Sequence, residues 1–297
     1  MVLVILACAP GSEPAGAAVV FEATSAYHHI RVVDEQGIRL LSFNGSQETR
    51  MSLLNPFQGH FEYTEFFHMP WLWNGRLTNV LMIGLGGGST QRAYQHYYSN
   101  VTVETAEIDP VVLQVAKRYF YFKESPAQQV HLEDGRVFLR RSETKYGAII
   151  LDAYVQSRYG ASIPYHLATR EFFELASQHL GTNGVLAFNV IGTLRGWRAD
   201  MVGAIYRTMR SVFPQVYLFP ASESYNVVLI GTKEAQCADY NLLRQRAIAL
   251  IRSRRVLMPS FGQRVAAFHA EPLSNYQRSP VLTDDYAPVD GLLAEGR

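Results

Sequence analysis

Gly84, Gly86 and Gly88 fall in the run Ile83-Gly84-Leu85-Gly86-Gly87-Gly88-Ser89, directly after an apolar stretch. Glycines let a backbone approach a ligand closely, and a helix beginning at Ser89 offers free N–H groups to it. Glu107 stands about 20 residues further on, where an acid at a strand end can hold ribose hydroxyls. Asp134, followed by Gly135, ends the next strand, and Asp152 ends the one after it. Strand ends of this kind are where open α/β sheets bind ligands. A dinucleotide site needs Gly-x-Gly-x-x-Gly, but residue 89 is Ser. The spacing Gly84-x-Gly86-x-Gly88 is the form usual in S-adenosylmethionine sites, in which an acid placed as Asp134 is meets the adenine amino group. The bland alternative is a glycine turn with incidental acids, and for Asp152 a helix or loop cap. Three features in register favour a nucleoside site. The long loop after Asp152, rich in Tyr, Ser and Gly, favours an active-site carboxylate.

The elements that must position these residues alternate strand and helix, the mark of a parallel sheet. Strands are expected over 79–83, 102–108, 129–133, 146–152 and 184–190. Helices are expected over 89–98, 110–120, 136–141, 169–179 and 198–212, the second with Pro110 at its first position. Residues 215–219 and 226–232 read as a closing antiparallel pair, and 238–255 as a helix. Upstream, residues 29–34 and 38–43 flank a hairpin signal at Glu35-Gln36-Gly37, and Asn44-Gly45 makes a second turn into 46–51. Residues 63–73 are apolar and aromatic and read as a helix. The chain divides into an apolar or flexible stub (1–18), a small β domain with linking helix (19–75), a Rossmann-like catalytic domain (76–235), and a C-terminal helix and tail (236–297).

Composition bounds the partners. The chain has 297 residues, is 48% hydrophobic and 18% charged, and carries a formal net charge of +1. That balance is globular, and it lacks the basic excess of a nucleic-acid surface. Small cations remain possible ligands, because a pocket can be acidic in a neutral protein. Cys8 and Cys237 are far apart, no CxxC occurs, and adjacent His28 and His29 would point to opposite faces of a strand. No metal site is expected, and reduced thiols fit a cytoplasmic protein. Residues 2–7 are apolar and precede Cys8, a faint suggestion of a signal peptide or lipid anchor. The run lacks a basic flank and is too short for a signal core or a membrane span. Any membrane association would run through this stub.

From residue 26 to 193 the chain resembles the polyamine aminopropyltransferase family, whose best-known member is spermidine synthase. The resemblance rests on Tyr27, Phe61-Glu62-Tyr63-Thr64-Glu65, the glycine loop, Glu107-Ile108-Asp109, Glu133-Asp134-Gly135 and Ile150-Leu151-Asp152. Residues 163–172 and 282–289 look like the branch often fused to membrane transporter segments. The resemblance implies a Rossmann-like S-adenosylmethionine-dependent methyltransferase fold with a small N-terminal β domain, and a homodimer or higher homo-oligomer. It implies decarboxylated S-adenosylmethionine as aminopropyl donor and an amine such as putrescine as acceptor. Asp152 matches the family's proton acceptor, Glu107 would hold the ribose and Asp134 the adenine. Tyr27, Tyr63 and Tyr154 would line the amine site, the last two by cation–π contact, though core packing is an equal reading for Tyr63.

The departures concern the acceptor. The family's Asp-x-x-Asp-Pro loop reads Asp152-Ala153-Tyr154-Val155-Gln156 here, so Val155 replaces the second acid. The family's Gln after the first Tyr is His28, its His after the second Tyr is Thr64, and the usual Asp of the glycine loop is missing. Asp284 and Asp285 are expected to fold back over the sheet edge and lend an acid, Asp285 being the candidate contact; a cap or exposed turn is the alternative. Aminopropyl transfer ranks first, methyl transfer from S-adenosylmethionine second, and a non-catalytic nucleoside-binding or regulatory protein third.

Overall fold

Gln36 and Gly37 take positive φ angles of 49° and 78°, and Asn44 and Gly45 take 50° and 89°. Such left-handed pairs match a two-residue turn to the twist of its strands. They connect β2 (His29–Glu35), β3 (Ile38–Phe43) and β4 (Ser46–Ser52), which with β1 (Ala18–Thr24) form an antiparallel sheet in sequence order. The computed structural model describes residues 16–157, 160–274 and 276–294. Most of the expected stub over 1–18, with Cys8, lies outside the described residues.

The segment Glu62–Leu72 is helical, but as a 3-10 helix rather than an α-helix, and it carries Pro70. Pro has no N–H to give to an α-helical ladder. Nine of its residues, from Glu62 to Leu72, are buried.

Beyond it come β5 (Asn79–Ile83), α1 (Ser89–Tyr97), β6 (Thr102–Glu107), α2 (Pro110–Tyr119), β7 (Gln128–Leu132), α3 (Gly135–Arg141) and β8 (Tyr146–Leu151). The loop after Asp152 is not structureless. It holds a short hairpin, β9 (Val155–Ser157) and β10 (Gly160–Ser162). Then follow α4 (Arg170–His179), β11 (Leu180–Ile191), α5 (Ala199–Arg210), β12 (Gln215–Pro220), β13 (Asn226–Thr232) and α6 (Tyr240–Arg252).

The large sheet has the order β12-β13-β11-β8-β5-β6-β7. Strands β11, β8, β5, β6 and β7 pair in parallel, and β13 runs antiparallel to both its neighbours. The sheet is therefore mixed, its parallel part closed by the antiparallel pair read from the sequence. Alternation along each strand feeds two cores. Leu81, Ile83, Ile149 and Leu151 face α3, α4 and α5. Val80, Met82, Ala148 and Ile150 face the 3-10 helix, α1 and α6.

The small sheet has its own core. Ile30, Val32, Leu41 and Met51 pack with Leu85 of the glycine loop and with Val112, Val115 and Ala116 of α2. This contact brings β4 to the carboxyl edge of the large sheet. No helix among the described residues is long and apolar enough to cross a membrane.

Candidate active site

Chain order reverses between β5 and β8, and a crevice opens there, at the carboxyl ends of the strands. Gly84 leaves β5 with φ +97°, and a Cβ added to it would meet the Asp152 carbonyl oxygen at 2.2 Å. Only glycine lets these two strand ends lie so close. Gly86 and Gly88 also take positive φ, and Gly88 caps α1. The loop is tied down from the small sheet as well, since Gly87 N donates to Thr49 Oγ1 over 2.9 Å.

Glu107 ends β6 and is 7% exposed. Its Oε2 accepts from Leu85 N at 3.0 Å and its Oε1 from Asp109 N at 2.8 Å. It thus holds the glycine turn while lining the cavity. Burial pushes its pKa up to about 7, against the pull of those backbone donors.

Asp134 caps α3. Its Oδ1 accepts from Arg136 N and Val137 N, and its Oδ2 lies 2.8 Å from His166 Nε2. Burial works to raise this carboxyl, but the His166 contact and the backbone donors hold it below the ordinary value. Gly135 lets α3 seat against β5, since a Cβ there would meet Ile83 Cγ2 at 2.3 Å.

Asp152 lies at the heart of the cavity. Its Oδ1 accepts from Asn189 Nδ2 at 2.8 Å and its Oδ2 from the Tyr63 hydroxyl at 3.2 Å. Burial lifts its pKa to about 6, with the two donors acting the other way. A carboxylate poised there is ionised at neutral pH yet can accept a proton. Burial and the neighbouring acid push the Tyr63 phenol well above its ordinary value, so it stays a donor.

Tyr154 is placed differently from a simple cation wall. Its hydroxyl donates to Asn189 O at 2.8 Å and accepts from Ile191 N at 3.0 Å, which pins it to β11. Tyr27 lines the cavity and is 46% exposed.

Asp284 and Asp285 require a correction. The tail does fold back, but Asp284 is held by the protein. Arg136 donates to both its oxygens at 2.7 and 2.6 Å, and Thr169 Oγ1 donates at 2.7 Å. The acid expected to be free has found its cation on α3. Asp285 is exposed and is not among the residues lining the cavity.

Six lining or adjoining residues were not singled out as site residues from the sequence. Asn189, on β11, orients Asp152 and is 1% exposed. His166 holds Asp134. Ile108, Pro164 and Leu167 give the cavity apolar surface beside the two strand-end acids. Glu48, on β4, brings a further carboxylate into the same cavity. An acid at an alternating strand position was the only signal for it.

Strand order, glycine turn and strand-end acids define the class: a Rossmann-like α/β protein with the S-adenosylmethionine-dependent methyltransferase fold, bearing a small antiparallel N-terminal sheet. Residues 60–230 match the spermine/spermidine synthase domain, more than half of the chain, and the chain belongs to that family. It is 34% identical over 241 residues to the polyamine aminopropyltransferase of Vibrio vulnificus, covering 78% of this chain and 77% of that protein. A probable spermidine synthase from Corynebacterium glutamicum superposes with a TM-score of 0.62 at 17% identity, covering 80% of this chain and 88% of the other. Human methyltransferase-like protein 13 superposes with a TM-score of 0.55 at 22% identity over 65% of this chain and 88% of that one. These two structural likenesses speak for the fold.

Proposed function

We propose that the chain transfers the aminopropyl group of decarboxylated S-adenosylmethionine to a primary amine, with putrescine the first acceptor to test and Asp152 as proton acceptor. One observation carries this reading: Asp152 stands in the cavity beside the glycine turn, held by two neutral donors and, among the described residues, by no cation. The donor would lie with its ribose toward Glu107 and its adenine among Ile108, Pro164 and Leu167, near Asp134. Glu107 retains acceptor capacity beyond its two backbone donors, since a carboxylate has about four lone-pair sites.

The acceptor arrives as an ammonium, because amines of this kind are protonated at pH 7. Asp152 takes one proton and frees the nitrogen lone pair. The nitrogen attacks the carbon beside the sulfonium. A C–N bond forms, the C–S bond breaks, and its electron pair returns to sulfur, leaving a neutral thioether. The phenyl-type walls of Phe61, Tyr63 and Phe67 exclude water and favour a cationic chain between them.

The test is Asp152→Asn with donor binding and turnover measured separately. Turnover should fall about 10²–10⁴-fold, the usual range for losing a general base, while nucleoside binding stays close to wild type. Equal turnover in both proteins would remove Asp152 from the chemistry.

A second reading, methyl transfer from ordinary S-adenosylmethionine, is favoured by Arg50. Arg50 lines the cavity, and although its guanidinium lies over Phe61 and 3.7 Å from Glu223, its Nε is buried without a hydrogen-bond partner, so a donor carboxylate would find a cation there. Comparing binding of the two donors decides between the readings, since only one of them has a carboxylate.

A further inference from the structure

Val155 stands where the family's acidic loop has its second acid, and it is 40% exposed at the cavity wall. A substrate ammonium enclosed among Phe43, Phe61, Tyr63 and Phe67 without a counter-charge would be costly. The small sheet resolves this. β4 crosses over the glycine turn, anchored by Thr49 on Gly87 N. Glu48 and Arg50 occupy alternate positions on that strand, and both line the cavity. Arg50 has partners other than Glu48. Its guanidinium lies over the Phe61 ring, 5.1 Å from the centroid, and 3.7 Å from Glu223. Among the described residues no lysine, arginine or histidine forms an ion pair with Glu48.

We infer that Glu48 supplies the negative charge that pairs with a substrate ammonium, replacing from the N-terminal sheet the acid that the loop after Asp152 lacks. Asp152 cannot serve both purposes, because it must take a proton from the reacting nitrogen. The inference rests on the amine-transfer reading of the cavity. Its physical support is that Glu48 is half-buried in the cavity wall and close enough to Asp152 for the two charges to oppose each other. Two like charges facing one apolar-walled space leave it attractive to a cation. The ammonium has two chemical sources: the propylamine end of the donor, or the distal end of a diamine acceptor.

Calorimetry on the full chain separates them. For the donor, decarboxylated S-adenosylmethionine is compared with 5′-methylthioadenosine, which lacks the aminopropyl arm. For the acceptor, putrescine is compared with n-butylamine in the presence of 5′-methylthioadenosine. Glu48→Gln should weaken the member of one pair that carries the additional ammonium at least about 10-fold and leave its partner compound, which lacks that ammonium, much less affected. Adding Val155→Asp to Glu48→Gln should restore most of the lost preference, since residue 155 faces the same cavity. Glu48→Met replaces Glu48→Gln if the latter does not fold.

Unchanged preferences in both pairs, or a wild-type protein with no preference for the compound carrying the additional ammonium in either, would overturn the assignment. If ammonium binding tracks Glu48 but no aminopropyl product forms with any amine, the transfer reading fails and the Glu48 assignment stands.

Discussion

Asn189 donates from Nδ2 to Asp152 Oδ1 over 2.8 Å, and Asn226 Nδ2 fixes the direction of that amide by donating to Asn189 Oδ1 over 3.0 Å. β13 thus orients an amide on β11, which orients a carboxylate at the end of β8. The relay runs across three neighbouring strands of the sheet, so the backbone ladder sets its spacing. Asn189 touches no reacting atom in this account and acts as a positioning residue.

The consequence is a shift in pH dependence. Asp152 must be ionised to accept a proton, so kcat/KM should rise with pH through its pKa of about 6. Asn189→Ala removes a donor that stabilises the ionised form. The acid limb should then move to higher pH, and kcat at pH 7 should fall about 10-fold, less than the 10²–10⁴-fold that losing the general base itself costs. Asn226→Ala should move the limb the same way by less. A pH–rate profile checks both. A purely structural role would lower stability and leave the midpoint where it is.

Glu107 joins the glycine turn to the next strand through two backbone donors. Hydrogen bonds to a charged group are worth about 1.5–3 kcal/mol each. Glu107→Ala should therefore weaken 5′-methylthioadenosine binding about 10–100-fold or more and also lower the melting temperature. Titration calorimetry on the folded variant measures the first effect. Wild-type affinity there would mean that the nucleoside lies elsewhere.

Gly84 should tolerate no side chain. Its φ of +97° is strained for an L residue, and the new Cβ would stand 2.2 Å from Asp152 O. Gly84→Ala should cost on the order of 2–4 kcal/mol, combining strain with a backbone clash. Gly37→Ala is the control, because Gly37 has φ +78° and nothing within 4 Å of its Cβ position. It should cost only the strain, about 1 kcal/mol. Denaturant midpoints compare the two. Similar losses at both sites would show that strain alone matters at Gly84.

Which residues were legible follows from how local their signals are. The strands from Asn79 to Ile83 and Asn226 to Thr232 are apolar runs bounded by turn residues, and they form as read. The hairpin turns at residues 36–37 and 44–45 carry their own φ requirements. Glu107, Asp134 and Asp152 each sit at a strand end next to a Gly, Pro or loop signal, so a short window finds them. Asn189 and Glu48 do not. Asn189 lies inside a buried strand 37 residues from Asp152, and nothing nearby marks it. Glu48 belongs to another sheet and reaches the cavity only because that sheet packs on α2. The Asp284 expectation failed for the same reason: its partner, Arg136, is 148 residues away. The 3-10 character of Glu62–Leu72 is likewise a matter of packing, since its aromatic composition suits any buried helix.

Glu48 also makes a stability prediction that needs no substrate. Burial lifts its pKa to about 7, the Ser46 hydroxyl partly offsets that rise, and the charge on Asp152 adds to it. A raised carboxyl pKa means that the fold prefers the neutral form. The stabilisation is fully present below the unfolded value near 4.5 and is lost as pH rises through about 7. Glu48→Gln does not titrate. Relative to wild type the variant should gain little between pH 4 and 5 and progressively more up to pH 8, where the gain levels off at on the order of 1–2 kcal/mol. In a chain of this length that corresponds to a few degrees in melting temperature. His68, whose pKa burial lowers to about 3, changes both proteins equally and cancels in the difference. Thermal melts of wild type and variant across pH 5 to 8 make the measurement. Parallel curves would show that Glu48 is solvated and carries no burial penalty. A gap that narrows when putrescine is added would show the ammonium meeting the charge that burial leaves exposed to it.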